Sequence, residues 1–304
     1  MKEIVILSGK GGTGKTTITA AFASLAARAV LVDCDVDAAD LHLILAPEVL
    51  ETHEFFGGKK ASIRPYLCAG GGDCLERCRF GAVIETGDGE APYRIDPVAC
   101  EGCGVCARFC PTGAIRFREV RGGEWYRSRT RFGVMIHARL APAEENSGKL
   151  VSLIRREARA SAGELGADLI LADGPPGAGC PVIASVTGAD YVVIVTEPTV
   201  SGIHDLKRVC ELTRHFRIPA GVVINREDLN PRMADEIEAF ATPEGIPILG
   251  RIPYDGDAVK AQMKGLAVTE LPRSRLKRHL ERVWTNVTGA LGERRSAFEI
   301  LHAN

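Results

Sequence analysis

The sequence predicts a doubly wound α/β fold with a mostly parallel sheet, interrupted by a small α+β unit. Three observations lead there. Short, unbroken apolar runs recur along the chain with helical patterns between them, as strands buried on both faces require. Glycines and carboxylates suited to phosphate and metal chemistry stand at the ends of those runs. A cysteine-dense segment with its own repeat breaks the alternation from about Arg64 to Phe117. The expected boundaries are residues 1–62 and 118–304 for one discontinuous domain and 63–117 for the insert.

Composition narrows the classes. At 304 residues the chain holds one large domain and something smaller, and 45% hydrophobic with 25% charged residues is ordinary for a globular protein. A formal net charge of -1 argues against a general nucleic-acid binder. No apolar run approaches the roughly 20 residues of a spanning helix. The N-terminus enters the first strand without a signal pattern, so a cytoplasmic protein without a stable membrane anchor is expected. Ten cysteines are many for that compartment, and seven lie between Cys68 and Cys110, which favours metal binding over disulfides.

The first strand, Ile4-Val5-Ile6-Leu7, and the first helix, from Ile18 to Ala26, flank Ser8-Gly9-Lys10-Gly11-Gly12-Thr13-Gly14-Lys15-Thr16-Thr17. Strand, glycine loop and helix give the G-x-x-x-x-G-K-T string its phosphate-binding context. The glycines let backbone N–H groups turn inward, Lys15 reaches terminal phosphates, and Thr16 can hold Mg²⁺. Lys10, directly after Gly9, adds a second lysine at the other end of the loop. With it, the loop resembles the deviant Walker A loop of the MinD/ParA family. The resemblance implies an ATPase that forms a homodimer on ATP binding, with Lys10 reaching the partner's nucleotide.

Ala29-Val30-Leu31-Val32-Asp33-Cys34-Asp35 reads as a second buried strand ending in two carboxylates. The resemblance makes Asp35 the residue that orients the attacking water and Asp33 a support for Mg²⁺. Cys34 between them reads as a small hydrophobe.

Within the insert, Ile63, Pro65, Cys68, Cys74, Cys78, Gly81 and Ala82 recur 32 positions later as Ile95, Pro97, Cys100, Cys106, Cys110, Gly113 and Ala114. Two similar half-units follow. The second half reads C-x2-C-x2-C-x3-C-P from Cys100 to Pro111, the bacterial ferredoxin pattern. The segment resembles a two-cluster ferredoxin domain, whose fourth cysteine ligates the other cluster. Cys100, Cys103, Cys106 and Cys78 then make a complete 4Fe–4S site. Cys68, Cys74 and Cys110 make a second, incomplete site, because Gly71 stands where a cysteine is expected. That second site implies a 3Fe–4S centre or a 4Fe–4S cluster with a non-cysteine ligand: Asp73, the nearest carboxylate in sequence, water or an external thiol.

Beyond the insert, Arg116, Arg118, Arg121, Arg127, Arg129 and Arg131 alternate among Trp125, Tyr126 and Phe132. They read as a hairpin with a basic face, either solvated or docking an acidic redox partner. Glu144–Lys149 reads as a cap before the amphipathic helix that starts near Leu150. Ala167–Gly177 resembles the family's Walker B and switch II segment, with Asp173 on Mg²⁺ through water and Gly177 following the γ-phosphate. Cys180 and Cys210 read as structural. Two later strands, Tyr191–Val195 and Gly221–Asn225, flank a helix near 202–216. Asn225 and Arg226 match the family's adenine contact, and Pro253, in Ile252-Pro253-Tyr254-Asp255, lies in a segment beside the base. A terminal helix over Ser274–Leu291 turns its apolar stripe toward the sheet rather than to a membrane.

Three roles fit these motifs. The one expected is ATP-gated electron transfer to a redox or iron–sulfur partner protein. The alternatives are iron–sulfur assembly of the Mrp type and MinD-like spatial positioning.

Overall fold

Apolar runs without a polar interruption cannot face water on either side, so each becomes a central strand. The structure, a computed structural model, describes residues 1–141 and 147–301. The chain opens with β1 (Lys2–Ser8), α1 (Lys15–Leu25), β2 (Ala29–Asp33), α2 (Leu41–Leu45) and β3 (Glu48–Ile63). The cysteine-rich stretch carries α3 (Asp73–Glu76), β4 (Val83–Glu85), β5 (Tyr93–Ile95) and α4 (Val105–Arg108). Then follow β6 (Ile115–Thr130), β7 (Gly133–Leu140), α5 (Ser147–Leu165), β8 (Leu169–Pro176), α6 (Cys180–Val186), β9 (Tyr191–Thr196) and α7 (Val200–His215). The last elements are β10 (Ala220–Asn225), α8 (Pro231–Ala241), β11 (Ile248–Ile252), α9 (Asp257–Met263) and α10 (Arg275–Leu301).

Among the described residues the main sheet runs β11-β10-β9-β1-β8-β2-β7-β6-β3. Every pairing from β11 to β7 is parallel. The fold is therefore α/β with a large, mostly parallel sheet. Register carries chemistry: Asp33 pairs with Asp173 and Ile6 also pairs with Asp173, so the carboxylate ends of β2 and β8 come together beside β1.

Two compact units divide the chain, one of Met1–His53, Trp125–Arg139 and Ser147–Asn304, the other of Glu54–Glu124 with the stretch beginning at Leu140. The boundaries differ from the expected 63–117, because β3 and β6 are long strands that each run from one unit into the other. The 16-residue β3 was invisible in the sequence, where its half-exposed, Glu- and Lys-bearing pattern shows no apolar run. The Glu144–Lys149 cap lies in part outside the described residues; α5 itself begins at Ser147.

The expected basic hairpin exists as β6 and β7, but most of its arginines are already paired. Arg129 meets Glu48 at 2.7 Å, Arg127 meets Glu164 at 3.1 Å, and Arg121 meets Glu54 at 3.0 Å. Arg131 holds Glu270 at 2.7 Å and donates to the carbonyls of Ile44, Leu45 and Gly265. Arg121, Arg127, Arg129 and Arg131 are thus neutralised by the protein's own carboxylates, while Arg116 and Arg118 stand exposed.

On α10, Leu276, Leu280, Val283 and Val287 are buried in the core that also holds Phe22 and Val193. Trp284 packs on Phe22 with ring centroids 5.0 Å apart. That stripe covers the sheet and is not available to a bilayer. Among the described residues no helix is long and apolar enough to cross a membrane.

A buried ion cluster fastens α5 to the edge of β1. Glu3, its side chain 5% exposed, accepts from Arg155 Nε at 2.7 Å and from Arg159 Nη2 at 2.7 Å. Arg155 Nη1 also donates to the carbonyls of Ala184 at 2.6 Å and Thr187 at 2.9 Å, tying down the end of α6. Removing the carboxylate strands a guanidinium in the interior, so Glu3→Ala should cost about 3–5 kcal/mol in denaturant unfolding. The exposed pair Arg129–Glu48 should cost only about 0–1 kcal/mol when broken. Equal losses for both would show that the buried cluster does not clamp the helix.

Candidate functional site

The phosphate loop is shaped by glycines at positions other residues tolerate poorly. Gly12 and Gly14 adopt φ of 79° and 88°, and Gly14 caps α1. A methyl group on Gly14 would come within 2.4 Å of Asn225 Nδ2, whereas one on Gly11 or Gly12 would meet nothing within 4 Å. The loop is thus packed on one side and open on the other.

Two buried polar atoms at this loop lack hydrogen-bond partners among the described residues: Thr13 Oγ1 and Lys15 Nζ. Lys15 Nζ lies 3.1 Å from Asp173 Oδ1, without hydrogen-bond alignment, and 3.7 Å from Asp35 Oδ2. Burial works against the lysine's charge, and Asp173, Asp35 and Asp33 together outweigh it, so its pKa is raised. Thr16 Oγ1 donates to Asp173 Oδ2 and Thr19 Oγ1 to Asp173 Oδ1, each at 2.8 Å. Thr19, fully buried one turn along α1 from Thr16, is a site residue the motif did not mark; its three-residue spacing on one helix face was the available signal.

The carboxylates are crowded. Asp33 is fully buried and accepts the N–H groups of Asp35 at 3.1 Å and Leu41 at 3.2 Å. Burial, then Asp173, push its pKa well up. Burial likewise takes Asp35 to about 6 despite Lys15. Three carboxylates facing one ammonium form a donor set that suits a divalent cation, and Mg²⁺ asks for only one or two protein oxygens beside water and phosphate. Unpartnered donors on the loop and acidic oxygens behind it fit Mg²⁺ with a nucleotide's phosphates.

A pocket opens at the C-terminal ends of β10 and β11 beside the start of α1. Gly14, Thr17, Asn225, Arg226, Pro253 and Tyr254 line it, which brings together the residues expected at the base. Asn225 Nδ2 donates to Thr13 O at 2.7 Å, so this amide also braces the loop. Arg226 takes a left-handed φ of 54° and pairs with Glu197. Lys10 lies on the same glutamate, 3.4 Å from Glu197 Oε2, and within 3.3 Å of Thr199 Oγ1 and Ser201 Oγ. Glu197 had no motif signal in the sequence. Gly177, at φ 91°, ties the end of β8 to the loop by donating to Ser8 O at 3.0 Å.

The other cysteines separate by burial. Cys34 and Cys210 are packed in the core, and burial raises both thiols, Cys210 to about 12. Cys180 is exposed at the start of α6.

In the second unit, Cys78, Cys100, Cys103 and Cys106 line one cavity with Phe117 and Ile95. Cys74 has its thiol raised by burial, with Cys68 and Cys110 close enough to add to the effect. Burial opposes the thiolate at Cys78 and Cys110, yet hydrogen bonding outweighs it and lowers both. The N–H of Ala82 donates to Cys78 Sγ at 3.3 Å, and that of Ala114 to Cys110 Sγ at 3.3 Å. Among the described residues no three or more His, Cys, Asp or Glu side chains converge to hold a single metal ion.

Comparison with known proteins bears on the nucleotide site. Residues 4–268 match the CobQ/CobB/MinD/ParA nucleotide binding domain. An uncharacterized protein of Methanocaldococcus jannaschii is 34% identical over 231 residues, covering 75% of this chain and 79% of that protein. An uncharacterized ATP-binding protein of the same organism is 25% identical over 267 residues, 86% of this chain and 78% of its own. The cell division ATPase MinD of Pyrococcus furiosus shares the fold at a TM-score of 0.57 and 19% identity, covering 95% of this chain and 99% of that one. MinD of Pyrococcus horikoshii, solved with Mg-ADP, does so at 0.58 and 17%, covering 96% and 97%. Of the three expected roles, these matches side with the MinD-like ATPase and lend nothing to ATP-gated electron transfer. The chain belongs to the CobQ/CobB/MinD/ParA family of nucleotide-binding ATPases.

Proposed function

We propose that this protein is a Mg-ATP-dependent switch that dimerises face to face and hydrolyses ATP. The observation that carries the proposal is the knot of Lys15, Thr16 and Thr19 on buried Asp173, set under a loop with unpartnered donors. Loop N–H groups from Gly11 to Thr17 and the Lys15 ammonium would bind the β- and γ-phosphates. Thr16 and Asp173 would hold Mg²⁺, which supplies charge neutralisation for phosphoryl transfer. Asp33 keeps the β2 end in place through its two N–H acceptor bonds, and Asp35 orients the attacking water. Asn225, Arg226 and Pro253 would flank the base. Lys10 would leave its own Glu197 and reach the partner's phosphates. The partner is a second copy of this chain; the solved complex of MinC with MinD from Aquifex aeolicus supports a further protein on such a dimer.

Lys10→Ala should abolish ATP-dependent dimers in analytical ultracentrifugation and bring hydrolysis to background, while ATP binding survives. Asp35→Ala should lower turnover by about 10²-fold or more and leave the ATP-bound dimer long-lived. A Lys10→Ala protein that dimerises and turns over normally sinks the proposal.

A second reading concerns the inserted unit, which we take as a ferredoxin-like domain carrying iron–sulfur clusters. Four thiols around one cavity and N–H donors on Cys78 and Cys110 support it. Cys78, Cys100, Cys103 and Cys106 would hold a 4Fe–4S cluster; Cys68, Cys74 and Cys110 would hold a second. Anaerobic reconstitution should then yield about seven or eight irons per chain with matching sulfide, and Cys100→Ser with Cys103→Ser should remove about four. A chain that takes up no sulfide-matched iron has no such clusters.

A further inference from the structure

Resting on the cluster reading of the inserted unit, we infer that the carboxylate of Asp73 is the fourth protein ligand of the cluster held by Cys68, Cys74 and Cys110. The two halves of the repeat share a backbone as well as a spacing. Gly70 and Gly102 adopt φ of 71° and 63°, Gly72 and Gly104 adopt 82° and 84°, and Gly81 and Gly113 both adopt 61°. The short helices α3 and α4 start at equivalent positions, each capped by a left-handed glycine. Gly71 therefore occupies the loop position that Cys103 occupies in the other half.

A Cβ built on Gly71 meets one heavy atom within 4 Å, and that atom is Asp73 Oδ2 at 3.8 Å. The carboxylate oxygen thus stands beside the place where a thiolate would project. Its counterpart in the repeat is Val105, which has no donor. Between the halves the chain exchanges Cys103 and Val105 for Gly71 and Asp73: one anionic ligand is lost and one gained within three residues. Glycine at 71 leaves the space beside the carboxylate without a side chain. Competition for Asp73 is slight, because Arg77 Nη2 approaches only the other oxygen, Oδ1, at 3.7 Å, and its guanidinium lies over the ring of Phe109 at 4.2 Å.

Three soft thiolates and one hard oxygen make the iron at Asp73 the exchangeable corner. Under an added oxidant such as ferricyanide that iron leaves as Fe²⁺, its bond to the Asp73 oxygen and its sulfide bonds break, and one electron passes to the oxidant. The product is a 3Fe–4S centre on Cys68, Cys74 and Cys110. Ferrous ion with a one-electron reductant restores the cubane.

The test uses the full chain, reconstituted anaerobically, with iron and sulfide counts and EPR before and after ferricyanide. The wild type should hold two cubanes and show a 3Fe–4S signal on oxidation, reversed by Fe²⁺ and dithionite. Asp73→Asn should show that signal before any oxidant, hold about one iron fewer, and resist restoration by Fe²⁺. Gly71→Cys should give no 3Fe–4S signal under the same oxidation, since φ there is unstrained and a Cβ has only an ordinary contact. An Asp73→Asn protein with wild-type iron and wild-type oxidation behaviour overturns the assignment. The dithionite-reduced signal of the Cys78, Cys100, Cys103 and Cys106 cluster separates the two claims: its presence alongside that result leaves the cluster reading standing and removes Asp73, whereas its absence from every sample removes the cluster reading itself.

Discussion

Asp173 is the group on which the nucleotide half of the molecule turns. It is a fully buried carboxylate inside β8, where desolvation alone would expel it, and it persists because two hydroxyl donors and one ammonium on α1 reach it. Lys15, Thr16 and Thr19 all come from α1, so the interaction fixes how that helix sits on the sheet and where its N-terminus aims. Parallel register then sets Asp33 directly beside it. Burial first, and neighbouring carboxylates after it, raise the pKa of Asp33 and Asp35 in this low-dielectric pocket. A divalent cation with a phosphate chain would offset the charge gathered there, so the same burial that costs stability favours the Mg-ATP site proposed above.

What was legible in the sequence follows from burial on both faces. β1, β2, β8, β9 and β10 show as apolar runs because nothing polar is tolerated there, and each run ends where a functional residue begins. Long-range pairings left no such trace. Glu3 and Arg155 are 152 positions apart, and Lys10 meets Thr199 across 189. β3 was missed for a different reason: its acidic residues pair with arginines of β6, so its pattern never becomes apolar. The same pairing explains why the basic run from 116 to 131 looks like a docking face in one dimension and is largely neutralised in three.

The inserted unit was legible by another route, internal repetition. Matching cysteines alone give a ligand list; matching left-handed glycines show that the loops which carry them are the same loop twice. Ala61, Ala82 and Cys100 form its small core, with Cys78 and Cys106 against it. A core of that size leaves little apolar burial to hold the fold. The thiols are therefore placed by tight turns and N–H donors, and on the cluster reading proposed above a bound cluster would contribute much of the unit's stability.

The role proposed for Lys10 across a dimer would require it to leave the contacts it makes in this structure. Its contacts are with its own chain: the Glu197 carboxylate, Thr199 and Ser201 at the turn from β9 into α7. The Glu197 side chain is only 8% exposed and shares its other oxygen with Arg226, at the edge of the base pocket. Of the two cations on Glu197, Lys10 is the more distant, at 3.4 Å. A partly exposed pair of this kind is worth only about 0–1 kcal/mol, well below what a phosphate oxygen offers a lysine in a desolvated interface. In the dimer proposed above, Lys10 would exchange Glu197 for phosphate oxygens of the partner's nucleotide. Arg226 remains to neutralise Glu197 afterwards, so the departing lysine leaves no buried charge unpaired.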